Sequence, residues 1–470
     1  MTDTEPRDPN AGSGADLRRG LGVTAATTLV AGAVIGTGIF VSPAIVAREV
    51  GTPGLSLLVW LVCGLLAVAG GLCFAELGAA LPRTGGTYTF LLRAYRVRWL
   101  PFLFGWSMFA VVLTGVMAAV ATAFAIYAGR FLGSVMPYGL WTQRAVAIGC
   151  ILFLTAMNCV GVRVGGRIQI AFTVAKVVGV GTLIVTGLLV ADERGGGLTP
   201  LLPAVATGSA VGAFGVAMIV ALFAYNGWWY STFVAGEVRD PERTIPRSIL
   251  SGMAIVLVAY ILANLVYLLV LPFDVLQSTE MPAAETMQRI LGDGGADLIA
   301  AAVMLSAFGT VNAQLLSVPR IYFAMARDGV FFDSVARVHP RWKTPATAIL
   351  LQGAVASLLA LTGTFQQIIT YTAFPNYLFL SLGVAGLIVL RVREPELPRP
   401  FRVPLYPVTP VLFLAVFGWY LVNSLLHAFR DTMVGIVLTL AGLPLYLYWS
   451  RRSRRRDEAS GLPFRERVSG

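Results

Sequence analysis

Long apolar segments alternate with short polar ones along almost the whole chain, as in "ILFLTAMNCV" and "SGMAIVLVAYILANLVYLLVL". With its flanks, each segment approaches the about 20 residues that a helix needs to cross about 30 Å of hydrocarbon. About twelve segments follow this pattern, centred near residues 35, 68, 115, 151, 180, 220, 259, 308, 353, 380, 415 and 441. The pattern predicts an all-α integral membrane protein with about twelve transmembrane helices.

The first apolar segment is interrupted near its middle by the stretch "GAVIGTGIFVSP". Gly32, Gly36 and Gly38 lie close together there, and Thr37 separates the last two. Unpaired backbone groups are costly at this depth, so they occur only where protein or a water-filled cavity satisfies them. One interpretation is that the small residues let helices pack closely. The other is that the open backbone binds a solute.

The sixth apolar segment, at about residues 209 to 236, has a break of the same kind. In "LFAYNGWWYSTFVAGEV", Asn226 and Gly227 interrupt the apolar run near its centre. The two broken segments are five helices apart, so they cross the membrane in opposite directions. This spacing indicates an inverted five-helix repeat, in which discontinuous helices meet at the bilayer midplane. The second break favours a binding site over simple packing.

The backbone groups at the two breaks indicate which solute would bind. A half-helix that begins after Gly36, Thr37 and Gly38 offers free N–H donors and a positive dipole end, which suit a carboxylate. Half-helices that end at Ile35 and near Phe223 leave carbonyl oxygens that suit an ammonium. A site with both features matches the zwitterion of an amino acid.

Composition and charge indicate a membrane protein without a nucleic-acid partner. Of the 470 residues, 57% are hydrophobic and 13% are charged. The net charge is +11, yet 28 of the 35 Lys and Arg residues fall on one side of the predicted topology. Six fall on the other side, and Lys176 lies inside a segment. The positive-inside rule therefore predicts that both termini are cytoplasmic, in a multi-pass protein of the plasma or inner membrane.

The chain is expected to have five parts. They are a disordered cytoplasmic tail at 1–20, a first inverted repeat at 21–200, a second inverted repeat at 201–392, two further helices at 393–450 and a basic cytoplasmic tail at 451–470. The cysteines lie in apolar runs, which indicates buried thiols: Cys63, Cys73, Cys150 and Cys159. The sequence shows no metal-ligand cluster, nucleotide-binding loop or nucleophile–base arrangement, so we expect no cofactor, no metal and no catalytic residue.

Several stretches resemble a known family. "GAVIGTGIFVSPAIVAREVGTPGLSLLVWLVCGLLAVAGGLCFAELGAALPRTGGTYTFLLRAY" resembles the start of the amino acid–polyamine–organocation (APC) superfamily, and more narrowly the L-amino acid transporter (LAT) family. The likeness continues through "LFAYNGWWYSTFVAGEVRDPERTIPRSI", "FGTVNAQLLSVPRIYFAMARDG" and "LRVREPELPRPFRVPLYP", and covers about residues 21 to 450. It implies a fold like that of the sodium-coupled leucine transporter, with two C-terminal helices added. It also implies alternating-access transport, commonly as one-for-one amino-acid exchange.

The resemblance also implies which residues bind substrate. The substrate carboxylate would meet the backbone at 36–38, and the ammonium would meet carbonyls of both breaks. Phe223 stands at the place of the family's aromatic gate. The predicted substrate-binding residues are Val34, Ile35, Gly36, Thr37, Gly38, Phe223, Ala224, Asn226, Trp229 and Asn376.

Two of these positions depart from the family pattern. Many relatives carry Gly, Ser or Asp where this chain has Asn226, and often Asn where it has Trp229. Both positions lie near the substrate side chain in the family, so selectivity does not carry over. Asn376, with its neighbours Phe374 and Tyr377, occupies a family position that approaches the pocket.

Lys176 is one of only two lysines and lies inside the fifth apolar segment. It is too far from Arg167, at the inner edge, for its ammonium to reach the headgroups fully, and such a residue marks a functional site by default. The resemblance implies that its ammonium replaces the cation of sodium-coupled relatives and holds helices 1, 5 and 8 together. Glu76 and Glu237 each lie near a cytoplasmic helix end, as part of an inner gate or of a solvated ion pair.

The function predicted from these features is secondary transport of L-amino acids. Neutral substrates are favoured because no acidic residue lies in the middle of a segment. Sodium-independent exchange is the first hypothesis, and proton symport is the alternative; a membrane-embedded enzyme and a transporter-like sensor are disfavoured. The loop "GRFLGSVMPYGLWTQR" lacks the cysteine that joins light chains to a glycoprotein. We therefore expect a monomer or weak homo-oligomer without a disulfide-linked heavy chain.

Overall fold

The computed structural model describes residues 22–82, 85–160, 162–190, 196–201, 208–233, 235, 238–327, 329–337, 339 and 344–460. The predicted N-terminal tail, the last ten residues of the predicted C-terminal tail and Glu237 lie outside the described residues. Within this part of the chain, eight helices are long and apolar enough to cross a membrane. A bent pair of helices adds a ninth span, and three shorter apolar helices complete twelve. The predicted all-α architecture is confirmed.

We number the helices by span and divide the two broken ones into halves. The first six spans are helix 1a (Val23–Val34), helix 1b (Gly38–Val50), helix 2 (Pro53–Ala80), helix 3 (Trp99–Leu132), helix 4 (Leu140–Val160), helix 5 (Val162–Val190), helix 6a (Gly208–Ala224) and helix 6b (Tyr230–Phe233). The last six are helix 7 (Pro241–Val270), helix 8 (Asp293–Ser317), helix 9 (Ala346–Thr362), helix 10 (Phe365–Arg393), helix 11 (Val408–His427) and helix 12 (Phe429–Leu440, continued by Gly442–Ser460).

Helix 1 breaks where the glycine pattern predicts it. Its two halves meet at an angle of 41°. A Cβ atom at Gly38 would lie only 2.6 Å from the Cα of Ala224, so only glycine lets helix 1b pass this close to the end of helix 6a. We call the side on which helix 1a begins the near side, and the side on which helix 1b ends the far side.

Helix 6 breaks over a longer stretch. Helix 6a ends at Ala224, and five residues in turns separate it from helix 6b. Within them Gly227 has a φ of +117°, a conformation that favours glycine. The residue that interrupts the apolar pattern in the sequence is therefore the one that the turn requires.

The two broken helices lie at the centre of the molecule. Helix 1b packs against helix 6a, and helix 1a packs against helix 7. Helix 8 packs against helices 3 and 5, while helix 10 contacts helices 3, 6a, 11 and 12. All four cysteines are buried and free, as predicted.

Polar contacts connect the helices at each side. On the near side, Glu76 of helix 2 is 1% exposed and accepts hydrogen bonds from Arg391 Nε (2.8 Å) and the Val403 amide (2.7 Å). This ion pair is thus buried rather than solvated. On the far side, Gln277 Nε2 donates to the Ala47 carbonyl (3.0 Å), and Arg48 Nε donates to the Gln277 carbonyl (2.9 Å). These bonds attach the end of helix 1b to the short helix Phe273–Ser278.

Candidate substrate site

A small cavity lies between the two helix breaks. Its volume is about 20 Å³, room for little more than one water molecule, so the site is contracted in this conformation. Among the described residues, none that lines it is charged. The lining residues are Ala33, Val34, Gly36, Thr37, Gly38, Val116, Val120, Phe223, Ala224, Asn226, Tyr230, Thr310 and Gln314.

The start of helix 1b presents hydrogen-bond donors to this cavity. The first amides of a helix have no carbonyl partner within it, and Thr37 at the N-cap makes no side-chain cap. The Thr37 hydroxyl is itself buried without a hydrogen-bond partner among the described residues, as is the amide oxygen of Asn226. Buried polar groups are rarely left unpaired, so a polar ligand is the natural partner for this set.

The carbonyl ends of helices 1a and 6a are joined by one side chain. The hydroxyl of Tyr260, a fully buried residue of helix 7, lies 2.7 Å from the Val34 oxygen and 3.1 Å from the Ala224 oxygen. On helix 10, the Tyr377 hydroxyl donates to the Leu222 carbonyl at 2.8 Å. These tyrosines satisfy carbonyls that the breaks would otherwise leave open.

Lys176 lies directly behind the break in helix 1. It is fully buried, and its Nζ donates to the Gly32 carbonyl at 3.0 Å and to the Thr310 hydroxyl at 2.6 Å. The Thr310 hydroxyl in turn donates to the Ser306 carbonyl. The ammonium therefore connects helix 5 to helices 1a and 8, and Thr310 brings this contact to the wall of the cavity.

An aromatic pair lies at the far-side wall of the cavity. The rings of Phe223 on helix 6a and Phe365 on helix 10 are 5.6 Å apart in an edge-to-face arrangement. Below the cavity, Tyr230 and Phe233 of helix 6b stack at 5.7 Å. Phe223 thus lines the cavity and contacts helix 10 through this ring pair.

The structure gathers seven of the predicted substrate-binding residues around the cavity and leaves three outside its lining. Those three are Ile35, Trp229 and Asn376. Ile35 is buried beside the break, and Trp229 packs against Trp228 with ring centres 4.9 Å apart. Both amide atoms of Asn376 are buried without a partner among the described residues.

Sequence reasoning missed several lining residues. Thr310 and Gln314 of helix 8 were not singled out, although Ser306 precedes them at the same spacing of four residues. Residues four apart share one face of a helix, so this polar stripe in an apolar helix was the available signal. Tyr260 offered no comparable signal, because an aromatic residue in an apolar helix is ordinary.

Two interrupted helices around a central cavity, within a set of apolar spanning helices, define a membrane transporter of the inverted-repeat type. The chain belongs to the amino acid permease family, whose model matches residues 21–443. It is therefore a multi-pass membrane protein that transports amino acids.

Three relatives illustrate the family. The chain is 32% identical to the serine/threonine exchanger SteT of Bacillus subtilis, over 93% of this chain and 98% of the relative. It is 32% identical to the human large neutral amino acids transporter small subunit 2, over 96% and 85% of the two chains. It is 30% identical to the human cystine/glutamate transporter, over 95% and 89%.

Proposed function

We propose that this protein exchanges neutral L-amino acids one for one across the cell membrane, without sodium. The substrate lies in the cavity between the helix breaks, with its carboxylate at the start of helix 1b, around Thr37 and Gly38. Its ammonium lies toward the carbonyl ends of helices 1a and 6a, and its side chain lies toward Asn226 and Gln314. Phe223 acts as the far-side gate.

The cavity lining carries this proposal. It combines main-chain donors of one helix end with buried, unpaired polar atoms, and none of its described residues is charged. A carboxylate or an ammonium on the substrate side chain would find no counter-charge there, which favours neutral amino acids. The names of relatives support exchange, since SteT is a serine/threonine exchanger.

Lys176 supports independence from sodium. Its ammonium already forms charged hydrogen bonds with Gly32 and Thr310, at the place that the family resemblance assigns to a bound cation. A tethered positive charge there leaves no need for a free cation. We propose that Lys176 couples the tilt of helix 1a to helices 5 and 8 during transport.

The test is uptake of radiolabelled L-serine and L-leucine into liposomes that contain the purified protein. We expect fast uptake only when the liposomes hold an unlabelled neutral amino acid, in sodium or choline buffer alike. Uptake that requires an inward proton gradient, and ignores internal amino acid, would establish symport instead.

We further propose that both termini are cytoplasmic and that the protein works without a disulfide-linked heavy chain. The loop between helices 3 and 4 contains no cysteine, and the four cysteines of the chain are buried. Electrophoresis of the protein from native membranes, with and without reductant, should give one band at the same position. A larger band that reductant removes would contradict this proposal.

A further inference from the structure

A second and larger cavity lies at the far side, where helices 6a, 10, 11 and 12 meet. Its volume is about 390 Å³. Val216, Ile219 and Val220 of helix 6a form an apolar wall, and the other walls carry polar side chains from the start of helix 10 and the turn between helices 11 and 12. The cavity is thus amphipathic, as a site for a small zwitterion with an apolar side chain must be.

The position of this cavity relates it to the far-side gate. Val216 and Val220 precede Phe223 by seven and three residues, so all three share one face of helix 6a. On helix 10, Gln366 lines the cavity and directly follows Phe365, the ring partner of Phe223. The second cavity therefore begins within one helical turn of the aromatic pair on both helices.

The polar walls present one acceptor for a cation and one set of donors for an anion. Asp431 is half-buried and makes no hydrogen bond or ion pair with any residue that the structure describes. The side-chain oxygen of Gln367 accepts from the Thr364 amide at 3.0 Å, which turns its NH₂ group away from the helix end. His427 Nδ1 donates to the Asn423 carbonyl at 3.2 Å, which orients the imidazole.

The turn between helices 11 and 12 is packed closely against helix 6a. A Cβ atom at Gly212 would lie 2.6 Å from His427 Nε2, and one at Gly215 would lie 2.0 Å from Asn423 Nδ2. These glycines bring the imidazole and the neighbouring Asp431 next to the half-helix that carries Phe223. An occupant of the cavity would contact both Asp431 and helix 6a.

We propose that this cavity is a second amino-acid binding site, which receives the substrate from the far side before Phe223 admits it. This rests on the proposed function. The ammonium pairs with Asp431, the carboxylate accepts from the NH₂ group of Gln367, and the side chain packs on Val216 and Ile219. Helix 12, which lies outside the predicted inverted repeats, thereby supplies the charged group of the entry site.

The test counts bound amino acid. Purified protein in lipid nanodiscs is titrated with radiolabelled L-leucine at equilibrium, beside the variants Asp431→Asn and Gly38→Ala. Asp274→Asn is the matched control, because Asp274 is an exposed far-side carboxylate that makes no ion pair among the described residues. We expect two L-leucine molecules per wild-type and control chain, and weaker binding at one of the two sites in either variant, by about tenfold for Asp431→Asn and about 30-fold for Gly38→Ala. The double variant should bind more weakly at both sites.

Transport gives the second readout. For far-side uptake by Asp431→Asn, we expect the half-saturating L-leucine concentration to rise about tenfold, as loss of one charge-assisted hydrogen bond predicts. Uptake from the near side should be unchanged. One bound molecule per wild-type chain, or an Asp431→Asn variant that matches the control, would overturn the second site while exchange persists. Absence of any wild-type uptake would instead overturn the proposed function.

Discussion

Helices 1 and 6 are interrupted at corresponding places, and one side chain serves both interruptions. The last residue of each first half, Val34 in helix 1a and Ala224 in helix 6a, has its carbonyl oxygen within hydrogen-bond distance of the Tyr260 hydroxyl. Because a single hydroxyl carries one hydrogen, the two carbonyls share it. The two breaks are thereby held at a fixed separation.

The carbonyls two residues earlier in each half-helix accept hydrogen bonds from different kinds of side chain. The Gly32 carbonyl accepts from the Lys176 ammonium, whereas the Leu222 carbonyl accepts from the Tyr377 hydroxyl. Lys176 lies on helix 5 and Tyr377 on helix 10, the last helix of each predicted repeat. The same structural position thus carries a charge in one half of the molecule and a neutral donor in the other.

This difference bears on the orientation that we propose for the substrate. Charge-assisted hydrogen bonds are about twice as strong as neutral ones, so the break in helix 1 is the more firmly held. The buried positive charge also adds to the dipole at the start of helix 1b, in surroundings of low polarity where charges act over longer distances. Both effects support the proposed placement of the substrate carboxylate at helix 1 and of its ammonium nearer helix 6.

The largest effect is expected for Lys176→Ala, which removes the charged hydrogen-bond donor at the break in helix 1. The variant leaves the Gly32 carbonyl and the Thr310 hydroxyl without their donor, and two charged hydrogen bonds at about 1.5–3 kcal/mol each predict at least a 100-fold lower exchange rate. The protein should still fold. Val177→Ala, a lipid-facing neighbour, is the control for initial uptake rates in liposomes. Near-normal uptake by Lys176→Ala would refute the view that the charged donor at helix 1 matters more than the neutral donor at helix 6.

Gly38→Ala tests the contact between the two breaks. The new methyl group would lie 2.6 Å from the Cα of Ala224, so helices 1b and 6a must separate. Overpacking of this kind costs about 1–3 kcal/mol, and we expect L-leucine affinity to fall about 30-fold. Gly181→Ala is the matched control, because a Cβ there meets nothing within 4 Å. Equal affinities of the two variants would show that the close approach is dispensable.

Tyr260→Phe removes the bond that the two breaks share. Two buried carbonyls lose their donor at about 1 kcal/mol each, so the exchange rate should fall about 30-fold. The measurement is counterflow of radiolabelled L-serine. If the rate fell no further than in Tyr377→Phe, the shared hydroxyl would not be the stronger of the two tyrosine contacts.

Tyr377→Phe should have the smallest effect, since it frees only the Leu222 carbonyl. We expect about a fivefold lower exchange rate, from about 1 kcal/mol. Tyr420→Phe is a closely matched control, because the Tyr420 hydroxyl is buried without a hydrogen-bond partner among the described residues. That control should keep full activity, and a loss as large as that of Tyr377→Phe would mean that the bond to the Leu222 carbonyl does not account for the effect.

Much of the fold could be predicted from the sequence because lipid restricts what a chain can do. The apolar segments had to be helices, since only helices pair their own backbone groups in hydrocarbon. The breaks were visible at Gly36–Gly38 and Asn226–Gly227, because glycine and asparagine are conspicuous in an apolar run. Lys176 was visible for the same reason.

The side chains that complete the site were harder to predict. Tyr260 bonds a carbonyl 226 residues away along the chain, and no spacing in the sequence encodes that contact. Trp229 and Asn376 were expected at the substrate, yet neither lines the cavity. Trp229 lies in the turns between helices 6a and 6b, and Asn376 lies within the continuous helix 10. The direction of the first depends on how the turns pack, and that of the second depends on how helix 10 is rotated about its axis, so sequence position alone does not determine which way either side chain faces. Their roles stay predictions.

The hydrogen bonds between Gln277 and the end of helix 1b make the far-side loop a place from which the position of helix 1b can be measured. Each partner donates to the other's backbone, so two hydrogen bonds link the segment Phe273–Ser278 to the end of helix 1b. A fluorophore on Glu280→Cys, two residues beyond this segment, would therefore respond to a displacement of helix 1b, and the four native thiols are all buried, so the new thiol would be the site that is labelled.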